Sequence, residues 1–219
     1  AVDMKKVYHT HPWWYTFRSL QEAADHRVGE ESALPGEHDP VPAAHRGDAI
    51  GDHALYVRDA LRTLGHQSDV YALSVDEVLS GDVRPFHDPS SRLGDLTIFH
   101  YALPSPMTEA FAQLDRGRIL HYHNVTPAHF FAPYDPGLFR LASLARQELT
   151  SLVGRVDLAL GVSEFNRAEL EAMGFRPTGV LPLAVDLSRI TRPVRRPALE
   201  ALLTADDMIN FLFVGRIAP

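Results

Sequence analysis

The sequence predicts an α/β fold: a parallel β-sheet with helices on both faces. Three observations predict it. Short apolar runs of strand length alternate with stretches of helical period along most of the chain, and that alternation implies crossover connections between parallel strands. Gly, Pro and Ser stand where helices should start or stop. A chain of 219 residues, 45% of them apolar, can bury a sizeable core without disulfides or metals.

"KKVYHT" (5–10) reads as the first strand and runs into a loop rich in His, Pro and Trp. "HALYVRDALRTLGH" follows as a helix, with Ala54, Val57, Leu61 and Leu64 on one face and Gly65 as its terminator. "QSDVYAL" is the next strand and "DLTIFHY" (95–101) another. "SPMTEAFAQL" is a short helix with Pro106 in its first turn. "RILHYH" (118–123) is a strand and "GLFRLASLARQELTSLVGR" a long amphipathic helix. "DLALGVS" (157–163) is a strand, and a helix follows between Ser163 as N-cap and Gly174 as terminator. "TGVLPLAVD" supplies one more strand.

Two stretches break the alternation. Residues 11–50 form a loop far longer than the usual two to six residues, aromatic at its start and then rich in Pro, Gly and Glu. Residues 79–94 also read as loop. Residues 188–208 resemble a linker, and "INFLFVG" after it reads as a strand opening another domain. The boundary falls near residue 205, giving domains of 1–205 and 206–219.

Composition excludes several classes. With no Cys there is no disulfide framework, thiol nucleophile or thiolate-bound zinc. The net charge of −7 argues against nucleic-acid binding and electrostatic membrane binding. No apolar run approaches the roughly 20 residues that cross a bilayer. These traits predict a cytoplasmic protein, or one peripheral to a membrane.

Two segments carry candidate chemistry. "GDAIGDH" puts Gly47 and Gly51 just ahead of a helix amino terminus, where glycine permits close backbone approach and free N–H groups favour an anion. The plain alternative is a flexible turn capped by Asp48 or Asp52. "HYHN" sets His121 and His123 on one face of a strand, with His123 at the carboxyl end, where open parallel sheets bind ligands. His123 is alternatively a strand-end histidine bonded to a carbonyl, or part of a His-x-His metal site helped by His9 and His11. Glu164 and Asn166 suit a helix amino terminus without further function. Asp157 and Asp186 read as plain loop residues. His100 and Tyr101 are placed to line a cleft floor. Trp13, Trp14, Tyr15 and Phe17 form either a sugar-stacking platform or a cover for the core.

"GDAIGDHALYVRDALRTLGH", "ILHYHNVTP", "VSEFNRAELEAMGF", "VLPLAVD" and "FLFVGRIAP", in this order, resemble the retaining glycosyltransferases of family four. That family has the GT-B fold: two Rossmann-like domains facing across a cleft. The resemblance implies that this chain is the acceptor-side domain plus the first strand of the donor domain, a truncated piece inactive alone. It implies a nucleotide-sugar co-substrate, an unidentified acceptor and no metal. His123, with Asn124 beside it, would contact the donor sugar. The loop of Gly47, Asp48, Ala49, Ile50 and Gly51 would reach the donor phosphates, and Arg216 would pair with the diphosphate. The family's later Lys and its pair of glutamates have no counterpart in these residues. Strand 209–215 would seek the missing domain or another copy of the chain. Two other readings stay open: a sugar-nucleotide epimerase of the same architecture, and a stand-alone Rossmann-like binding domain.

Overall fold

The computed structural model describes residues 49–185, the backbone strands 13–18 and 43–44, and residues 187, 196, 197, 203, 209 and 211. The chain divides into two compact units, 1–184 and 185–219. The site described below lies in the first. "KKVYHT" and most of "INFLFVG" lie outside the described residues.

The first unit is a Rossmann-like α/β structure. Its strands are β1 (Trp13–Arg18), β2 (Ala43–Ala44), β3 (Gln67–Ala72), β4 (Ser74–Val75), β5 (Val83–Pro85), β6 (Leu96–Tyr101), β7 (Gly117–Tyr122), β8 (Leu158–Gly161) and β9 (Thr178–Val180). Its helices are α1 (Ala49–Thr63), α2 (Pro106–Ala112), α3 (Pro136–Ser151) and α4 (Glu164–Met173). Seven strands form one sheet in the order β5-β3-β1-β6-β7-β8-β9, while β2 and β4 pair separately. The run β6-β7-β8-β9 is parallel throughout, and β3 is parallel to β5.

The 11–50 stretch is not one loop. Trp13–Arg18 forms β1, antiparallel to both β3 and β6, with Trp14 opposite Tyr71 on one side and Phe99 on the other. The sheet is therefore mixed at this position. "WWYTFR" is rich in the aromatic and β-branched residues that suit a pleated surface, and that preference outweighs the loop reading. The 79–94 stretch also contributes a short edge strand, β5.

Helix boundaries follow local chemistry. Leu61 accepts from His66 N and Arg62 accepts from Gly65 N, both at 3.0 Å, while Gly65 takes φ +90°. This is a Schellman ending for α1, and it needs a residue tolerant of positive φ. Ser105, Asp135 and Ser163 cap α2, α3 and α4 with side-chain oxygens that accept from backbone N–H groups. Gly174, at φ +103°, closes α4.

The two faces of the sheet carry different cores. Val70, Ala72 and Ile98 pack with Ile50 and Ala54 of α1 on one face. Phe99, Tyr101, Leu120 and Tyr122 pack with Met107 and Phe111 of α2, Ala142, Ala145 and Leu149 of α3, and Leu170 of α4 on the other. Helices thus cover both faces, as the two-residue alternation along β6 and β7 requires. Among the described residues, no helix is long and apolar enough to cross a membrane.

Candidate functional site

β6 reads Ile98-Phe99-His100-Tyr101, and β7 reads Ile119-Leu120-His121-Tyr122. Alternation turns Phe99, Tyr101, Leu120 and Tyr122 into the α2–α4 core. His100 and His121 are left on the α1 face. The two strands pair in register, so His100 stands opposite His121. His123 follows one residue beyond β7 and shares that face. From the other side, α1 lowers His53 onto the sheet. The result is a layer of four imidazoles near the carboxyl ends of the parallel strands. His53 lies 5.6 Å from His100, 5.1 Å from His121 and 6.2 Å from His123 between ring centroids.

The backbone assigns proton positions in this layer. Ala184 donates its N–H to His53 Nδ1 at 2.9 Å. That nitrogen is therefore bare, and the single proton of the neutral ring sits on Nε2. His121 is arranged the other way: its Nε2 lies 2.8 Å from the Leu181 carbonyl oxygen, which only accepts, so Nε2 carries the proton and Nδ1 is bare. His100 Nδ1 and His123 Nε2 face each other at 2.7 Å. Among the described residues, His53 Nε2, His121 Nδ1 and His123 Nδ1 have no hydrogen-bond partner.

All four rings are held neutral. Burial lowers His53 and His121 to about 4 from an ordinary value of 6.5. Burial, with the neighbouring rings adding to it, pushes His100 and His123 well below the same value. An imidazolium here would lose its water and face three potential like charges.

One ring nitrogen from each of His53, His100 and His121 lies within 4.8 Å of the other two, which raises the question of a metal. The hydrogen bonds argue against one. With Nδ1 occupied by the Ala184 N–H, the inward nitrogen of His53 carries a proton and offers no lone pair. Tetrahedral zinc would also need its nitrogens about 3.4 Å apart. The donor of His53 and the acceptor of His121 suit each other, or a bridging hydroxyl, better than a cation. His9 and His11, expected to help a metal site, lie outside the described residues.

Asn124 turns the chain out of the sheet with φ +73°, a conformation that Asn tolerates better than most residues. Tyr122 underpins this turn from the opposite face. Its hydroxyl accepts from Val125 N at 2.9 Å and donates to Glu169 Oε2 at 2.8 Å. Burial, then the Glu169 hydrogen bond, raises the phenol's pKa and keeps it a donor. Arg146 completes the support by donating to the Val125 carbonyl at 2.8 Å and to Glu169 at 2.5 Å.

The expected site residues fall into three groups. His123 is partly exposed and Asn124 exposed, both at the mouth of the sheet. Ala49, Ile50 and Gly51 form the first turn of α1, but Ile50 is only 6% exposed and packs in the core, leaving the backbone as its means of meeting a ligand. Asp52 lies inside α1 and so is not its N-cap. Gly47, Asp48 and Arg216 lie outside the described residues, as does Asp186.

The cleft-floor reading of Tyr101 and His100 is corrected, while Asp157 and Glu164 keep their plain readings and gain partners. Tyr101 does not line a cleft floor: it is fully buried in the α2–α4 core and donates its hydroxyl to the Ala145 carbonyl at 2.6 Å. His100 is fully buried within the imidazole layer. Asp157 accepts from Arg118 N at 2.7 Å, fastening the start of β8 to β7. Glu164 pairs with Arg167 at 2.7 Å on the surface of α4. The residue that sequence reasoning missed is His53. Its place on the buried stripe of α1, beside Ile50 and Ala54, was the available signal.

No family model, no curated protein and no solved structure matches this chain.

Proposed function

We propose that this chain forms the acceptor-side half of a glycosyltransferase that moves a sugar from a nucleotide-sugar donor to an acceptor, with retention of anomeric configuration. One observation carries the reading. His123 stands at the carboxyl mouth of the parallel strands, neutral and half-buried, at the edge of a layer of imidazoles. Ligands of open α/β sheets bind at that edge. A neutral imidazole there adds no charge beside the reacting carbon.

The remaining roles follow from placement. Asn124, exposed on its positive-φ turn, presents an amide next to His123. The first turn of α1, Ala49 to Gly51, is a helix amino terminus, and such a terminus suits the developing charge of a diphosphate leaving group. Arg216, by the family resemblance, would pair with the donor diphosphate. The acceptor would be selected by the segments between β1 and α1.

The test uses the intact protein. UDP-, GDP- and dTDP-sugars are supplied in turn, and nucleotide release is measured, with hydrolysis as the readout when no acceptor is present. Release from one of these donors, with the α-anomer retained in the product, supports transfer. Binding of a nucleotide sugar with inversion at a ring carbon and no nucleotide release would replace transfer with epimerisation.

A further inference from the structure

We infer that Leu181–Ala184 is a strap across the carboxyl ends of the strands, hinged at Leu181 and latched at Ala184, and that the latch opens in acid when His53 takes a second proton.

The path of the chain sets up this device. After β9 the backbone forms neither helix nor strand. Leu181 donates its N–H to the Gly161 carbonyl at the end of β8 at 3.0 Å, and its own carbonyl accepts from His121 Nε2 of β7 at 2.8 Å. Three residues on, Ala184 donates its N–H to His53 Nδ1 of α1 at 2.9 Å. Four residues thus run from the sheet edge past β8 and β7 to the first helix. Ala184 is also the last residue of the first unit.

The two histidines answer acid in opposite ways. His121 gives the strap a proton. A second proton on that ring goes to Nδ1 and leaves the bond to Leu181 in place, with a charged donor. His53 gives the strap a lone pair. Its Nε2 already carries a proton, so a second one must go to Nδ1. That N–H would then face the Ala184 N–H, donor against donor, and the two must part. Acid therefore spares the hinge and breaks the latch.

Nothing around His53 offsets its charge while the strap is closed. The ring is only 1% exposed. The titratable groups that face it are His100 on β6, His121 on β7 and His123 just beyond, with ring centroids between 5.1 and 6.2 Å away, and each would be a like charge. The charged groups of α1 and β3 are turned to other partners, Arg58 to Asp59 and Asp82, and Arg62 to Asp69. Asp52 precedes His53 on α1, but successive helical residues do not face each other. The strap itself carries no charged side chain. Burial lowers the closed ring to about 4 from an ordinary value of 6.5. Opening returns water to it, so the open form binds the proton first. The latch therefore holds above about pH 6.5 and weakens as pH falls toward 4.

Amide exchange of the 15N-labelled protein, taken relative to an unstructured peptide at the same pH, reads both ends of the strap. At each pH Ala184 should exchange faster than Leu181, because the latch opens without the fold. Between pH 7.5 and 5.0, protection at Ala184 should fall about thirtyfold, the ratio set by a ring that titrates at about 4 closed and 6.5 open. His53→Asn supplies an acceptor that does not titrate, and protection at Ala184 should then change by less than about threefold. His121→Gln keeps a donor for Leu181, so the fall at Ala184 should persist. Equal protection at Ala184 and Leu181 throughout would mean that the segment opens only with the whole fold, and there is then no strap. A flat wild-type profile at Ala184, a fall in His53→Asn as large as in the wild type, or loss of the fall in His121→Gln would remove His53 as the latch. Should His53→Asn fail to fold, the wild-type and His121→Gln profiles at Ala184 and Leu181 still decide.

Discussion

Ala184 donates its backbone N–H to Nδ1 of His53 at 2.9 Å, joining the segment after β9 to α1 across 131 residues. The contact fixes the His53 tautomer and ties the end of the first unit to its first long helix. His53→Leu removes the acceptor and leaves the Ala184 N–H without it. Stability should fall by about 1–3 kcal/mol in urea unfolding. His53→Asn, whose Oδ1 stands at the position of Nδ1, should recover part of the loss. Equal losses in the two variants would show that packing, not this hydrogen bond, is what His53 contributes.

The imidazole layer makes stability depend on pH. His53 and His121 titrate at about 4 in the fold, against an ordinary value of 6.5. Between those values the unfolded chain binds protons that the folded chain refuses. Stability is therefore complete above about pH 6.5 and falls as pH drops toward 4. The loss is on the order of 3 kcal/mol for each ring that behaves independently. Unfolding free energy measured from pH 7.5 to 4.5 should fall steadily. In His121→Gln the slope should flatten by about one proton.

His123→Ala should separate chemistry from folding. Nucleotide release should drop by about a hundredfold or more, while stability falls by about 1 kcal/mol for the hydrogen bond to His100. Turnover equal to the wild type would exclude His123 from the site.

Tyr122→Phe tests the support beneath the Asn124 turn. The variant keeps the ring in the core and deletes one oxygen that serves both Val125 N and Glu169. A destabilisation of about 1–3 kcal/mol is expected, because a buried N–H and a carboxylate lose their partner together. Faster amide exchange at Val125 would locate the effect.

Gly161 permits α4 to sit against the end of β8. A Cβ at this position would meet the Arg167 backbone nitrogen at 2.5 Å and the Asn166 carbonyl carbon at 2.8 Å. Backbone cannot swing aside as a flexible side chain can. Gly161→Ala should cost about 1–3 kcal/mol or more, read as a lowered midpoint in thermal melts. An unchanged midpoint would mean that α4 slides freely on the sheet.

Much of the fold was legible in the sequence because its signals are local. Ser163, Gly174, Gly65 and Pro106 mark helix ends through caps and backbone angles that no distant residue sets. The alternation in "TIFHY" and "ILHYH" sorted side chains between the two faces before any partner was known. β1 was not legible in this way. "WWYTFR" gained its place from pairing with Tyr71 and Phe99, far along the chain, and the long connection after it suggested a loop.

The candidate site was half legible for a similar reason. His121 and His123 sit two apart on one strand, and that period is visible in the letters. The role of His100 depends on the register between β6 and β7, and that of His53 on where α1 lands. Tyr101 was misplaced because it neighbours His100 in sequence while pointing to the opposite core.

The central place of β1 has a consequence for how the chain is made. Trp13–Arg18 leaves the ribosome before either flanking partner exists, and its second neighbour, Leu96–Tyr101, is synthesised about eighty residues later. Until Gln67–Ala72 is made both edges of this aromatic ribbon are bare, and until Leu96–Tyr101 follows one still is. Nascent chains halted before residue 96 should be captured by holdase chaperones far more readily than chains halted after residue 125.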